Sequence, residues 1–187
     1  MQLLRISKKS NKMKILKTKF NGLSIIEGIK FDDTRGYFRE IFLKKLFKKK
    51  KFIFWCMSKS KKNVLRGMHL QTKNSQTKLI SVVKGKILDV VVDCRPKSKN
   101  FGKHFKTTLS EKNCKSLLIP AGFAHGFLTL DKENIIFYGC DNYRSANHEV
   151  TINWDDPSVN INWPSRKKII SNKDKSGISF KKFVKKI

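Results

Sequence analysis

Residues 77–94 read TKLISVVKGKILDVVVDC. Two runs rich in Val, Ile and Leu flank Lys84-Gly85, and each run is short and β-branched, which argues for strands. The segment therefore predicts two strong strands with Lys84-Gly85 as a hairpin turn between them. Alternation along the first run sets Lys78, Ile80 and Val82 on one face and Leu79, Ser81 and Val83 on the other. A lysine in that position either looks into a barrel from its mouth or guards a sheet edge.

Short runs of the same kind recur on both sides: SIIEGIKF (24–31), GYFREIF (36–42), KFIFWCM (51–57), NVLRGMHLQ (63–71), KHFKTTLS (103–110), KSLLIPAGFAHGFLTL (115–130) and NIIFYGCDNY (134–143). Turn residues separate them, and there is no internal repeat and no linker rich in Pro, Gly or Ser. This pattern predicts an all-β sandwich or barrel. A strand-like pattern also begins at KILKTKF (14–20), directly after Met13. Residues 1–12 thus read as a basic N-terminal extension, Met13 as an alternative start, and residues 13–187 as a single domain of ordinary size. From NWPSRKK (162–168) onward the chain is polar, with a weak helical pattern in ISFKKFVKKI (178–187).

The formal charge is +28, from 42 basic and 14 acidic residues. Such an excess is the usual footprint of a nucleic-acid or anionic-surface binder. Only seven of the 42 are Arg, however, and base and phosphate recognition favours the bidentate guanidinium. The lysines travel with Asn, Ile and Phe, whose codons are A/T-rich, so base composition accounts for much of the surplus. The densest patch, KKLFKKKKF (44–52), reads as a solvated loop or short helix with Leu46 and Phe47 turned inward, and no zinc-finger, RRM or helix-turn-helix spacing accompanies it. A nucleic-acid partner is not expected. Cysteines 56, 94, 114 and 140 form no CxxC pair, which points to free thiols in a reducing cytoplasm. No apolar run is long enough to span a bilayer, and the N-terminal apolar stretch is too short for a signal peptide.

Within NVLRGMHLQ, His69 is either a satisfied core side chain or a catalytic one. Strict alternation places His69 with Gln71 and Arg66 on the opposite face, so Arg66 and His69 can share a site only if the strand is irregular near Gly67. PAGFAHGF (120–127) resembles the second motif of the cupin barrels, and the segment with Gly67, His69 and Gly85 resembles a degraded first motif. A metal-binding cupin would offer His-x-His and then a Glu. Here Gln71 replaces the second His and Lys78 stands in the place of the acid. An ammonium cannot ligate a cation and an amide is a weak ligand, so no metal is expected.

The resemblance narrows further through FDDTRGYFREIF (31–42), VLRGMHLQ (64–71), KLISVVKGKILDVVVDCR (78–95), FGKHF (101–105), LLIPAGFAHGFLTL (117–130), DDPSVNINWP (155–164) and SNKD (171–174). Together they resemble the dTDP-4-dehydrorhamnose 3,5-epimerase family from about residue 15 to 175. The resemblance implies a cupin-type jelly-roll barrel with short flanking helices. It also implies a metal-independent isomerase that requires no cofactor, acts as a homodimer, and inverts C3 and C5 of dTDP-4-dehydro-6-deoxyglucose.

By that resemblance His69 is the proton-abstracting base, Asp174 the carboxylate that pairs with it, Tyr138 the acid acting from the opposite face of the sugar, and Lys78 the cation beside the C4 carbonyl oxygen. Arg66 corresponds to a diphosphate ligand, and Arg35 with Glu40 to a pair that the neighbouring subunit donates. Tyr143 corresponds to the ring that stacks on thymine, while Gln71, Glu149 and Lys173 fall at substrate-contact positions. His125 either orients the ketone or fills the barrel wall. Two departures stand out: Phe54 and Cys56 replace the family's usual Gln-x-Asn, and Gly139 replaces the lysine that usually follows the acid tyrosine. They leave open a variant that inverts one centre or takes another nucleotide-linked 4-keto sugar. Two readings from other classes are a binding-only cupin and a basic barrel that binds nucleic acid without catalysis.

Overall fold

Strands dominate the computed structural model, which describes residues 12–47 and 51–187. Residues 1–11 of the expected extension and residues 48–50 of the basic run lie outside the described residues. In chain order the strands are β1 (Lys14–Lys17), β2 (Ser24–Glu27), β3 (Ile29–Asp33), β4 (Gly36–Glu40), β5 (Phe54–Lys61), β6 (Val64–Gln71), β7 (Lys78–Lys84), β8 (Lys86–Asp93), β9 (His104–Ser110), β10 (Lys115–Ile119), β11 (Phe123–Thr129), β12 (Glu133–Cys140), β13 (Glu149–Thr151) and β14 (Ile169–Ile170). Two short helices follow, α1 (Asn172–Lys175) and α2 (Phe180–Val184). No helix among the described residues is long and apolar enough to cross a membrane.

One sheet has the order β1-β2-β10-β7-β12-β5, and the other β13-β6-β11-β8-β9 with β14 beside β6. From β5 to β8 the chain switches sheets at every connection, giving the facing sheets of a jelly roll. The pair β3 and β4 forms a separate hairpin. Alternation then sorts each strand into two faces. Ile80, Val82, Leu117 and Ile136 of the first sheet meet Ile87, Val91 and Phe127 of the second in the barrel interior. Leu79, on the other face of β7, packs outside with Met13, Ile26 and Phe47. Leu46 packs partly buried against the same cluster, so the described part of the basic run turns both apolar residues inward as expected.

The C-terminal region covers the outer face of the second sheet. Met68, Leu70, Val90 and Val92 pack there against Trp163, Phe180 and Phe183. The helical pattern in ISFKKFVKKI thus becomes α2, with Ser179 as its N-cap.

The fold corrects one expectation. Lys84-Gly85 is no hairpin turn: β7 lies between β10 and β12, whereas β8 lies between β9 and β11. A two-residue turn reverses the chain within a sheet, but here Gly85 alone lies between the strands and carries the chain from one sheet to the other. Gly85 has φ +81°, and a Cβ there would stand 2.3 Å from the Glu133 carbonyl oxygen. Gly85→Ala is therefore expected to lower unfolding free energy by about 1–3 kcal/mol, the usual scale of local backbone strain. An unchanged urea midpoint would contradict this account of the corner.

Candidate active site

β6 and β11 pair with a register break. His125 is opposite His69 and Phe127 is opposite Arg66, so two steps on β11 match three on β6. The extra residue lies around Gly67, whose φ is +125° and whose missing side chain lets the Gly126 backbone approach closely. One inserted residue shifts the alternation. Arg66 and His69 consequently both line the interior cavity, while Leu65, Met68 and Leu70 join the outer core.

The cavity has a volume of about 410 Å³ and is walled by β5, β6, β7, β11 and β12, with Glu149 and the α1 region at its rim. His69 Nε2 stands 2.6 Å from Asp174 Oδ1. Ser171 caps α1 by accepting the Asp174 N–H, and the Gly67 N–H donates to Asp174 Oδ2 at 3.3 Å. Burial pushes the Asp174 carboxyl up. The His69 hydrogen bond and charge, with the Gly67 and Ser171 bonds, outweigh that and hold its pKa below the usual carboxylate value.

Tyr138 reaches in from β12, with its Oη 2.8 Å from Ser58 Oγ. Burial drives its phenol pKa far upward, so it remains a protonated donor across the neutral range. Lys78, at the start of β7, takes the inward alternative: it lines the cavity and shares its face with Ile80 and Val82. Burial lowers its pKa, only partly offset by Cys140, Glu149, Cys56 and Asp89. His125 also lines the cavity, and its Nε2 lies 2.9 Å from Asp89 Oδ2.

The remaining expected residues divide. Arg66 lines the cavity with Nε 3.2 Å from Ser60 Oγ. Glu149 accepts from Arg144 Nε at 2.9 Å and is also bonded by the Lys173 ammonium, and all three side chains line the cavity. Gln71 lines it too, but its amide is committed to backbone: Nε2 donates to the Asn74 carbonyl at 2.8 Å, and Oε1 accepts the Ser145 N–H at 2.9 Å. Its visible task is to hold the 143–145 loop. Tyr143 is exposed beside the mouth, with its ring centroid 6.3 Å from that of Phe54. Arg35 and Glu40 are not among the residues that line the cavity of their own chain. They lie on the β3–β4 hairpin, where Arg35 Nη2 is 2.6 Å from Asp33 Oδ2.

The sequence reading missed Asp89, Ser58 and Arg144. Asp89 did leave a signal, as an acidic residue in the middle of the otherwise apolar run KILDVVV. The departures at Phe54, Cys56 and Gly139 also acquire a physical context. Phe54 and Cys56 line the cavity wall. Gly139 makes room for Trp55 on the outer face, since a Cβ at Gly139 would stand 2.7 Å from the indole. The four cysteines are all free thiols. Among the described residues, no three His, Cys, Asp or Glu side chains are grouped so as to hold a metal ion.

Residues 17–182 match the family model described as dTDP-4-dehydrorhamnose 3,5-epimerase. A relative of that name from Shigella flexneri is 41% identical over 174 residues, covering 90% of this chain and 96% of its own. The crystal structure of dTDP-4-dehydrorhamnose 3,5-epimerase from Elizabethkingia anophelis superposes with a TM-score of 0.84 at 38% identity, covering 91% of this chain and 97% of its own. A dTDP-6-deoxy-D-glucose-3,5-epimerase from Legionella pneumophila, solved in complex with dTDP-4-keto-L-rhamnose, has a TM-score of 0.86 at 36% identity. It covers 90% of this chain and 93% of its own.

Proposed function

The chain belongs to the dTDP-4-dehydrorhamnose 3,5-epimerase family, and from that premise we propose that it inverts C3 and C5 of dTDP-4-dehydro-6-deoxyglucose to give dTDP-4-dehydro-rhamnose. The observation that carries the reading is the His69–Asp174 pair at 2.6 Å in one cavity with Tyr138 and Lys78.

The chemistry follows from where these groups stand. The C4 ketone acidifies the hydrogens on C3 and C5. His69 takes one of them, and the ionised Asp174 beside it fixes the tautomer and supports the imidazolium that forms. The electron pair of the broken C–H bond moves into a C=C bond and places negative charge on the carbonyl oxygen. Lys78 meets that charge as an ammonium. Inversion needs the new proton to arrive from the other side. His69 extends from β6 and Tyr138 from β12, on facing sheets, so a sugar held between them has one group on each ring face.

The nucleotide end would lie toward the rim, with Arg66 at the diphosphate, Tyr143 against the base, and Glu149 and Lys173 alongside. Arg35 and Glu40, which do not line the cavity of their own chain, would reach a neighbouring copy in a homodimer. Four unpaired thiols suit a reducing cytoplasm.

Incubation with dTDP-4-keto-6-deoxyglucose in D2O tests the reading. Deuterium at both C3 and C5 is the expected result. One label would reassign the enzyme to a single centre, and the absence of label would overturn the reading.

A further inference from the structure

We propose that Arg144 is a ligand for the diphosphate of the substrate, its guanidinium held by Glu149 so that the Nη1–Nη2 edge is left for phosphate oxygens. The inference rests on the epimerase reading above and adds a residue to its nucleotide end.

Charge sets the need for an anion. Four basic side chains line the cavity, Arg66, Lys78, Arg144 and Lys173, against two carboxylates, Glu149 and Asp174. Asp174 is taken up by His69, and Lys173 is bonded to Glu149. The excess of positive charge suits the two negative charges of a diphosphate.

Arg144 is the basic group whose hydrogen bonds are least committed to the protein in the way such a ligand requires. Its Nε donates to Glu149 Oε2 at 2.9 Å, while its two terminal nitrogens make no hydrogen bond among the described residues. Burial pushes the Glu149 carboxyl up, but the Lys173 and Arg144 hydrogen bonds and the His69 charge outweigh that and hold it ionised. The backbone beneath Arg144 is fixed on both sides: Gln71 Oε1 accepts the Ser145 N–H, and Gln76 Nε2 donates to the Asn142 carbonyl at 2.9 Å. A fork held in this way loses little freedom when it meets a phosphate.

Its place along the cavity is the place a diphosphate must take. Phe54 and Tyr143 set two rings at the mouth, 6.3 Å apart between centroids, as a corner for the base. Two residues further along the same face of β5 comes Cys56, which lies directly opposite the acid Tyr138 in the β5–β12 register. The Cys56 thiol feels the charges of Lys78 and Arg144, so Arg144 stands over this step between the aromatic corner and the reacting groups. The base and the sugar are joined through the diphosphate, which therefore has to cross here. A thiol is a weak hydrogen-bond donor, and the guanidinium supplies the strong donors at that level.

The test uses the full chain, with dTDP and thymidine as probes in ligand-observed NMR titrations. Arg144 is 59% exposed and Glu149 keeps its bond to Lys173, so the substitutions leave the core intact. Arg144→Gln is expected to weaken dTDP by about tenfold and to raise KM alike with kcat within about twofold, while thymidine binding stays within about twofold. Arg144→Lys, which keeps the charge without the fork, is expected to cost about threefold for dTDP. A dTDP affinity unchanged in Arg144→Gln would overturn the assignment. So would an equal loss for thymidine, the mark of a rim that has merely lost its shape. A parent that incorporates no deuterium in D2O overturns the epimerase reading, and the dTDP and thymidine ratios then still judge Arg144. A parent that incorporates it while Arg144→Gln binds dTDP normally overturns only this inference.

Discussion

Replacing His69 with alanine is expected to cut turnover of dTDP-4-dehydro-6-deoxyglucose by about 100-fold or more, the usual scale for removal of a general base. The His69 imidazole is bonded to Asp174 Oδ1 at 2.6 Å, and it is the only histidine paired with that carboxylate among the described residues. Water admitted by the truncation would be far less basic than imidazole at neutral pH. The fold should survive, because His69 is partly exposed and Asp174 keeps its bonds to the Gly67 N–H and the α1 cap. Steady-state kinetics with a far-UV CD spectrum checks both halves of the statement. A variant that folds and retains more than a tenth of the parent kcat would remove His69 from the base role.

Lys78→Met is expected to lower kcat by about 100- to 1,000-fold, the range found when a single preorganised oxyanion donor is lost. Methionine conserves most of the length and the apolar stem, so the change removes charge and little else. A stability consequence follows with the opposite sign. The folded-state pKa of Lys78 is depressed by burial, so the unfolded state holds that proton more tightly. The penalty is present in full below the folded-state pKa and disappears as pH rises past the unfolded-state value. At neutral pH, Lys78→Met should therefore be at least as stable as the parent while being nearly inactive, an expected trade of stability for function. In the parent, the same depression predicts that activity falls on the alkaline side at a pH below the ordinary lysine range. Paired urea titrations and a pH–rate profile test both parts.

Both predictions depend on side chains that the sequence singled out, and the way it did so differs between them. Lys78 could be placed by its own strand: with Ile80 and Val82 on one face, it had to point inward if that face was the interior, as it is. His69 could not. Alternation alone separated it from Arg66, and only the register break near Gly67 puts both in one cavity. The need for an irregularity there was legible, yet its form required the partner strand. Asp174 is 105 residues from His69 and was recognisable only through the ordered motifs that the chain shares with its family.

What the sequence by itself determined was the all-β class, the two faces of most strands and the family membership, because Cβ alternation and turn chemistry act over a few residues and the motifs recur in order. Tertiary structure alone decided that Gly85 turns a corner between sheets, that Gln71 holds a loop with its amide, and that Asp89 backs His125 from 36 residues away. The reason is physical: strand partners and buried hydrogen bonds are settled by closure of the barrel, where every polar group carried inside must find a counterpart from a distant segment.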